Sequence, residues 1–264
     1  MGKEKINRIL NERLARGEKL FVPYIMAGDG GLDVLEDRIQ FLTDCGVSAI
    51  ELGIPFSDPT ADGPTIQSAG VRALTNGTTL ASVLDRLKSF KHKRTIPIIL
   101  MTYINPVLYY GIENFVEKCV VAGVDGVIIP DVPLEEEELI AGILQENNVA
   151  FIRLVAITSP IERVQLIASR TEGFLYAVSV MGTTGVRNHH DEQVKDYLQM
   201  LKGVSTVPVL AGFGVSTINQ AQELGTYCDG VVVGSKIVDL FNNGKREEIR
   251  ELIQGSVLKK RSHV

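Results

Sequence analysis

The feature that most constrains this chain is a repeat of pattern rather than of letters. Eight short apolar runs, rich in β-branched residues, fall at 20–27, 48–52, 96–101, 124–129, 150–155, 174–180, 207–211 and 230–233, and a stretch of helical spacing follows each. Parallel strands need such crossovers, and a sheet buried on both faces reads as continuous apolar runs rather than alternation. Eight units in about 250 residues predict a closed α/β barrel, the (β/α)8 or TIM barrel. The competing architecture, a doubly wound open sheet, finds no GxGxxG after the first run to support it. No linker or low-complexity stretch interrupts the series, so residues 1–264 are expected to form a single barrel domain. Ile6, Ile9, Leu10 and Leu14 have a helix period and Gly17 can end that helix, which is placed to close the bottom of the barrel. A short helix, 236–241, is expected after strand eight.

In this fold function gathers at the C-terminal ends of the strands. The second run leads there into ELGIPFSDPTADGPTIQ, residues 51–67. Side chains alternate along a strand, so Ile50 and Leu52 face one side and Glu51 the other. If the two aliphatics meet the helices, Glu51 points into the barrel, where an unpaired charge is costly to bury. Asp62 follows in an Ala-Asp-Gly-Pro turn. Taken singly, Glu51 reads as a solvated rim charge and Asp62 as a turn former; at a barrel mouth the pair is suited to acid–base chemistry. Glycines after strands six, seven and eight (Gly182 and Gly185; Gly212 and Gly214; Gly234 with Ser235) can bring backbone N–H groups close to an anion, and a helix N-terminus adds a favourable dipole. Loops seven and eight commonly hold phosphate in these barrels.

Bulk properties narrow the class. A formal net charge of −5 gives no general attraction to nucleic acid or anionic membrane. Cys45, Cys119 and Cys228 lack metal-type spacing and read as buried free thiols, in keeping with a reducing cytoplasm. No apolar run approaches the ~20 residues of a membrane helix, and residues 1–10 carry no apolar signal core. His92, His189, His190 and His263 lie in helix-end, loop and tail contexts, and no metal is expected.

With these residues in place, the chain resembles the tryptophan synthase alpha subunit family over nearly its whole length. FVPYIMAGD, ELGIPFSDPTADGPTIQ, MTYINPVLYYG, PDVPLEE, YAVSVMGTTGVR, AGFGVS and VVVGS carry the likeness in order. The resemblance implies retro-aldol cleavage of indole-3-glycerol phosphate to indole and glyceraldehyde 3-phosphate in tryptophan biosynthesis. It implies Glu51 as acid–base, Asp62 as the carboxylate facing the indole N–H, and Tyr176 and Thr184 as residues that order the site. Gly185, Gly214, Gly234 and Ser235 are implied as phosphate binders, and Tyr24, Met101 and Ile128 as the indole pocket. The implied partner is a beta subunit carrying pyridoxal phosphate, in an alpha2-beta2 heterotetramer; this chain is expected to hold no cofactor itself. Loop two, with Pro55 and Asp58, loop three, with Asn105 and Pro106, and Asp131 lie on the expected docking face, and the loop from Thr183 to Asn188 is a candidate lid. Thr60 departs from the usual leucine and Tyr24 from the common phenylalanine; neither removes a catalytic group. A self-sufficient lyase and a non-catalytic phosphate-binding regulatory subunit are the alternatives. A Schiff-base aldolase is disfavoured, since no lysine ends strands one to seven.

Overall fold

The computed structural model describes residues 2–178 and 187–257, with side chains of the second segment described from 192. Its strands are β1 (Leu20–Met26), β2 (Ile50–Gly53), β3 (Ile98–Met101), β4 (Gly126–Ile128), β5 (Ala150–Phe151), β6 (Leu154–Ala156), β7 (Leu175–Val178), β8 (Val209–Gly212) and β9 (Gly230–Val233). Every recorded pairing is parallel, in the order β5-β4-β3-β2-β1-β9-β8-β7-β6. The sheet begins and ends on two strands that are nearly continuous in the chain.

That continuity revises one expectation and completes the barrel. The single fifth strand expected at 150–155 is two strands broken at Ile152 and Arg153. The first half pairs with β4 and the second with β7. Ile152 N–H still donates to Val127 O at 3.0 Å, and Tyr176 N–H donates to Arg153 O at 3.1 Å. The fifth strand of a (β/α)8 barrel thus changes partner midway. At the break Arg153 turns to Glu137, 2.6 Å away, and Glu137 also pairs with Arg170 at 2.7 Å.

The helices are α1 (Lys3–Ala15), α2 (Leu35–Asp44), α3 (Pro64–Thr75), α4 (Leu80–Ser89), α5 (Ile104–Tyr110), α6 (Ile112–Ala122), α7 (Glu138–Glu146), α8 (Ile161–Arg170), α9 (Arg187–Val204), α10 (Ile218–Tyr227), α11 (Ser235–Asn242) and α12 (Arg246–Val257). Alternation sorts the strand residues into two layers. Phe21, Ile25, Ile50, Leu52, Ile98 and Leu100 meet the helices outside, while Leu20, Val22, Ala49, Ile99, Ile128, Leu210 and Val232 fill the interior. Ile6 and Leu10 of α1 join the interior cluster and are fully buried, so α1 does close the bottom. It is tied there by Asp125, which accepts from Gly2 N–H at 3.0 Å, Lys5 Nζ at 3.2 Å and Ile98 N–H at 3.1 Å.

Local signals account for several boundaries. Thr79 and Thr217 cap α4 and α10 through reciprocal capping boxes with Ser82 and Gln220. Ser159 and Pro160 read as a cap and first turn, but α8 begins after Pro160 without a side-chain cap. Asn105 and Pro106, placed in loop three by the sequence, lie in the first turn of α5, with Tyr103 as its N-cap. Pro106 sits in the first turn, where its missing N–H costs nothing, and Ile104 N–H is taken at 3.0 Å by the Asp131 carboxylate.

Candidate active site

The barrel interior stops being apolar at its upper end. Glu51 pairs in register with Tyr24 on one side and Ile99 on the other, and Leu154 pairs with Tyr176. Glu51 follows Ala49 on the inward face while Ile50 and Leu52 pack outside, the parity expected of the strand. Tyr24, Glu51, Asp62, Met101 and Tyr176 line one cavity of about 590 Å³, which opens at the C-terminal ends of the strands. Gly214, Gly234 and Ser235 line the same cavity.

Glu51 is 1% exposed, and its Oε2 has no hydrogen-bond partner. A carboxyl so placed is held neutral: burial, then the neighbouring Asp62 charge, push it up to about 8. Asp62 is also buried. Burial raises it to about 6, against the lowering effect of a hydrogen bond from Tyr103. Tyr24 and Tyr176 hold their protons far above the ordinary tyrosine range, through burial and then through both carboxylates. At neutral pH the site therefore offers one protonated and one ionised carboxyl group, within electrostatic reach of each other. Two acids driven apart in this way mark separate donor and acceptor roles.

Tight packing fixes the wall beside them. A Cβ on Gly53 would fall 1.9 Å from the Tyr24 hydroxyl, so only glycine lets the ring lie flat across β2. Further round the rim, Gly214 has φ +69°, a conformation that favours glycine. Gly234 precedes α11, whose N-terminus has no side-chain cap. Its first N–H groups are left for an anion in the cavity.

Eight of the implied site residues thus converge: Glu51, Asp62, Tyr176, Gly214, Gly234, Ser235, Tyr24 and Met101. Ile128 does not line the cavity. It is fully buried among the interior aliphatics, in register with Met101 of β3. Thr184 and Gly185, with the lid segment 183–186, lie outside the described residues. Tyr103 was not singled out from the sequence, although it shares inward parity with Met101 two residues earlier; its phenol is 2% exposed beside Asp62.

A (β/α)8 barrel with a neutral and an ionised carboxyl at its mouth, sharing one cavity with glycine-bearing strand ends, defines an acid–base enzyme of the phosphate-binding barrel type. The particular family follows from the sequence as a whole. The family model described as tryptophan synthase alpha chain matches residues 10–263, and the chain belongs to that family. It is 58% identical over 257 residues to the tryptophan synthase alpha chain of Oceanobacillus iheyensis, covering 97% of this chain and 98% of that one. It is 54% identical to that of Bacillus cereus strain G9842, covering 96% of each. Among solved structures, it is similar to Mycobacterium tuberculosis tryptophan synthase, at 32% identity and TM-score 0.87 over 96% of this chain and 98% of that one. It is also similar to the Legionella pneumophila strain Paris alpha subunit, at 31% identity and TM-score 0.87 over 97% of each. The chain is accordingly a carbon–carbon lyase of tryptophan biosynthesis, cleaving indole-3-glycerol phosphate to indole and glyceraldehyde 3-phosphate.

Proposed function

We propose that Glu51 is the group that moves protons in this cleavage and that Asp62 holds the indole ring. An aromatic carbon is a poor leaving group. Protonation of indole C3 by Glu51 gives an indolenine cation. The bond from C3 to the glycerol chain then breaks, and its electron pair restores the aromatic ring. The proton of the adjacent hydroxyl passes to the Glu51 carboxylate, leaving an aldehyde and a reprotonated acid. The observation that carries this reading is Glu51 itself: buried, with an unpartnered oxygen in the cavity and a proton retained up to about pH 8. Asp62, ionised above about pH 6, would accept a hydrogen bond from the indole N–H. That bond strengthens as positive charge develops on the ring, so it favours the transition state.

Tyr24 and Met101 would border the indole, with Tyr176 and Thr184 ordering the site. The phosphate would lie against Gly185, Gly214, Gly234 and Ser235, held mainly by backbone N–H groups and the α11 dipole. The partner would be the tryptophan synthase beta subunit in an alpha2-beta2 heterotetramer. The pyridoxal phosphate would belong to that subunit, where it supplies the chemistry that consumes indole, and none to this chain. Support for docking comes from α5, where Leu108 and Tyr109 are exposed, Tyr109 at 97%. No helix among the described residues is long and apolar enough to cross a membrane, and the cytoplasm is the compartment we assign.

The test is turnover of indole-3-glycerol phosphate by purified chain, with and without beta subunit, for the native protein and Glu51→Gln. Positioned proton transfer contributes about 10²–10⁴-fold, so the variant should bind substrate and lose nearly all cleavage. Retention of more than about a tenth of native turnover would contradict a role on that scale.

A further inference from the structure

Loop two carries Asp62, yet much of it is in water: Ser57, Asp58, Thr60 and Ala61 are exposed while Asp62 is buried. Something must hold the buried end. The structure places two side chains from outside the loop at that point: Gln67 of α3, whose amide donates to the Asp62 carbonyl at 2.8 Å, and Tyr103, which reaches both ends of the loop. Tyr103, just past β3, is stacked on Phe56 at the start of the loop, with ring centroids 5.4 Å apart. At the other end of the loop its hydroxyl oxygen accepts from Ala61 N–H at 3.1 Å. A hydroxyl that accepts there has its own proton to place. The acceptor in reach is the Asp62 carboxylate. One ring thus touches the loop's beginning and the peptide that precedes Asp62, and its hydroxyl acts on the carboxylate one residue on.

We propose that Tyr103 is a positioning residue for the cleavage, fixing the Asp62 carboxylate where the indole N–H must meet it. The proposal rests on the role assigned to Asp62 above. The charged and titratable groups facing Asp62 are Glu51 from β2, Tyr24 from β1, Tyr176 from β7 and Tyr103 itself; Asp131 faces Tyr103 from beyond. Among the described residues no cation acts on Asp62 to hold its charge, and burial opposes it. The Tyr103 hydrogen bond is what counters burial there. Tyr103 also lies at the N-cap of α5, whose first N–H is bound by Asp131. The same anchor therefore joins the carboxylate to the helix that exposes Leu108 and Tyr109.

The test is Tyr103→Phe, which keeps the ring against Phe56 and removes only the oxygen. Two readouts are taken on the full chain. The first is the titration of Asp62, followed by carboxyl-carbon NMR in native and Tyr103→Phe proteins, each also carrying Glu51→Gln to silence the other acid. A lost hydrogen bond to a charged carboxylate should raise the midpoint by about one pH unit. The second is the pH profile of turnover with Glu51 intact, whose acid limb should move up by the same amount, with kcat at pH 7 falling about twofold through the lost ionisation and KM changing little. An unmoved Asp62 titration overturns the proposal whatever the activity. A shifted titration with an unchanged turnover profile overturns it differently, by taking Asp62 out of the reaction. A lower melting temperature without a shift in either readout reduces Tyr103 to a packing residue.

Discussion

The acid at the centre of the site should weaken the fold, and the size of that cost can be worked out. In an unfolded chain Glu51 has the ordinary value of 4.5; in the barrel it is about 8. Between those values the folded state binds a proton that the unfolded state has released. Stability therefore falls as pH rises through this window, and is flat below it and above it with respect to this group. At about 1.4 kcal/mol per pH unit, the window corresponds to about 5 kcal/mol, a large share of a typical stability of about 5–15 kcal/mol. Glu51→Gln removes the titration while keeping the shape. Urea unfolding of native and variant proteins at intervals from pH 4.5 to 9 brings out the effect, because titrating groups that do not act on Glu51 cancel in the difference; Asp62, which does act on it, adds a smaller term near pH 6. The variant should gain on the native protein steadily up to about pH 8, by about 3–5 kcal/mol in all, and no further beyond it. Parallel curves, agreeing within about 1 kcal/mol across that range, would show that Glu51 is not held neutral and would remove the basis for its acid role.

Other consequences are equally measurable. Asp62→Asn should fold and lose about 10²-fold in kcat, since an amide cannot supply the charge that strengthens a hydrogen bond in the transition state; an unchanged kcat would exclude Asp62. The native rate profile should be bell-shaped, rising near pH 6 as Asp62 ionises and falling near pH 8 as Glu51 loses its proton; a flat profile over that span, measured under single turnover, would contradict the assignment. Gly53→Ala should destabilise by about 1–3 kcal/mol and raise KM, because its Cβ displaces the Tyr24 ring; native KM and melting temperature would show that the ring is free to move. Asp125→Ala should cost about 3–5 kcal/mol by leaving two backbone N–H groups at the barrel bottom unpaired and Lys5 with only the Ile96 carbonyl. Its kcat, measured well below melting, should stay native, since the bottom of the barrel is remote from the mouth.

Much of the architecture was legible in the residues. The eight apolar runs mark a parallel sheet because strands covered on both faces have no polar side to show. Parity alone put Glu51 inside and Ile50 and Leu52 outside, and the period of Ile6 and Leu10 marked the plug. The break at Ile152 and Arg153 was hidden, because nothing local distinguishes a strand that changes neighbours from one that does not. Helix α5 was hidden as well: Asn105-Pro106 reads as a turn until Asp131, distant in sequence, caps Ile104. Ile128 was assigned to the pocket by resemblance; it faces the barrel interior in register with Met101, but it is fully buried and off the cavity wall.

The amino-acid order by itself determined which residues could do the chemistry and which face of each strand they would take, since both follow from side-chain type and a period of two. Tertiary structure decided how acidic they are. Desolvation and neighbouring charge depend on what surrounds a carboxyl in space, so the separation of Glu51 from Asp62, and the hold of Tyr103 on the latter, exist only once the barrel has closed around them.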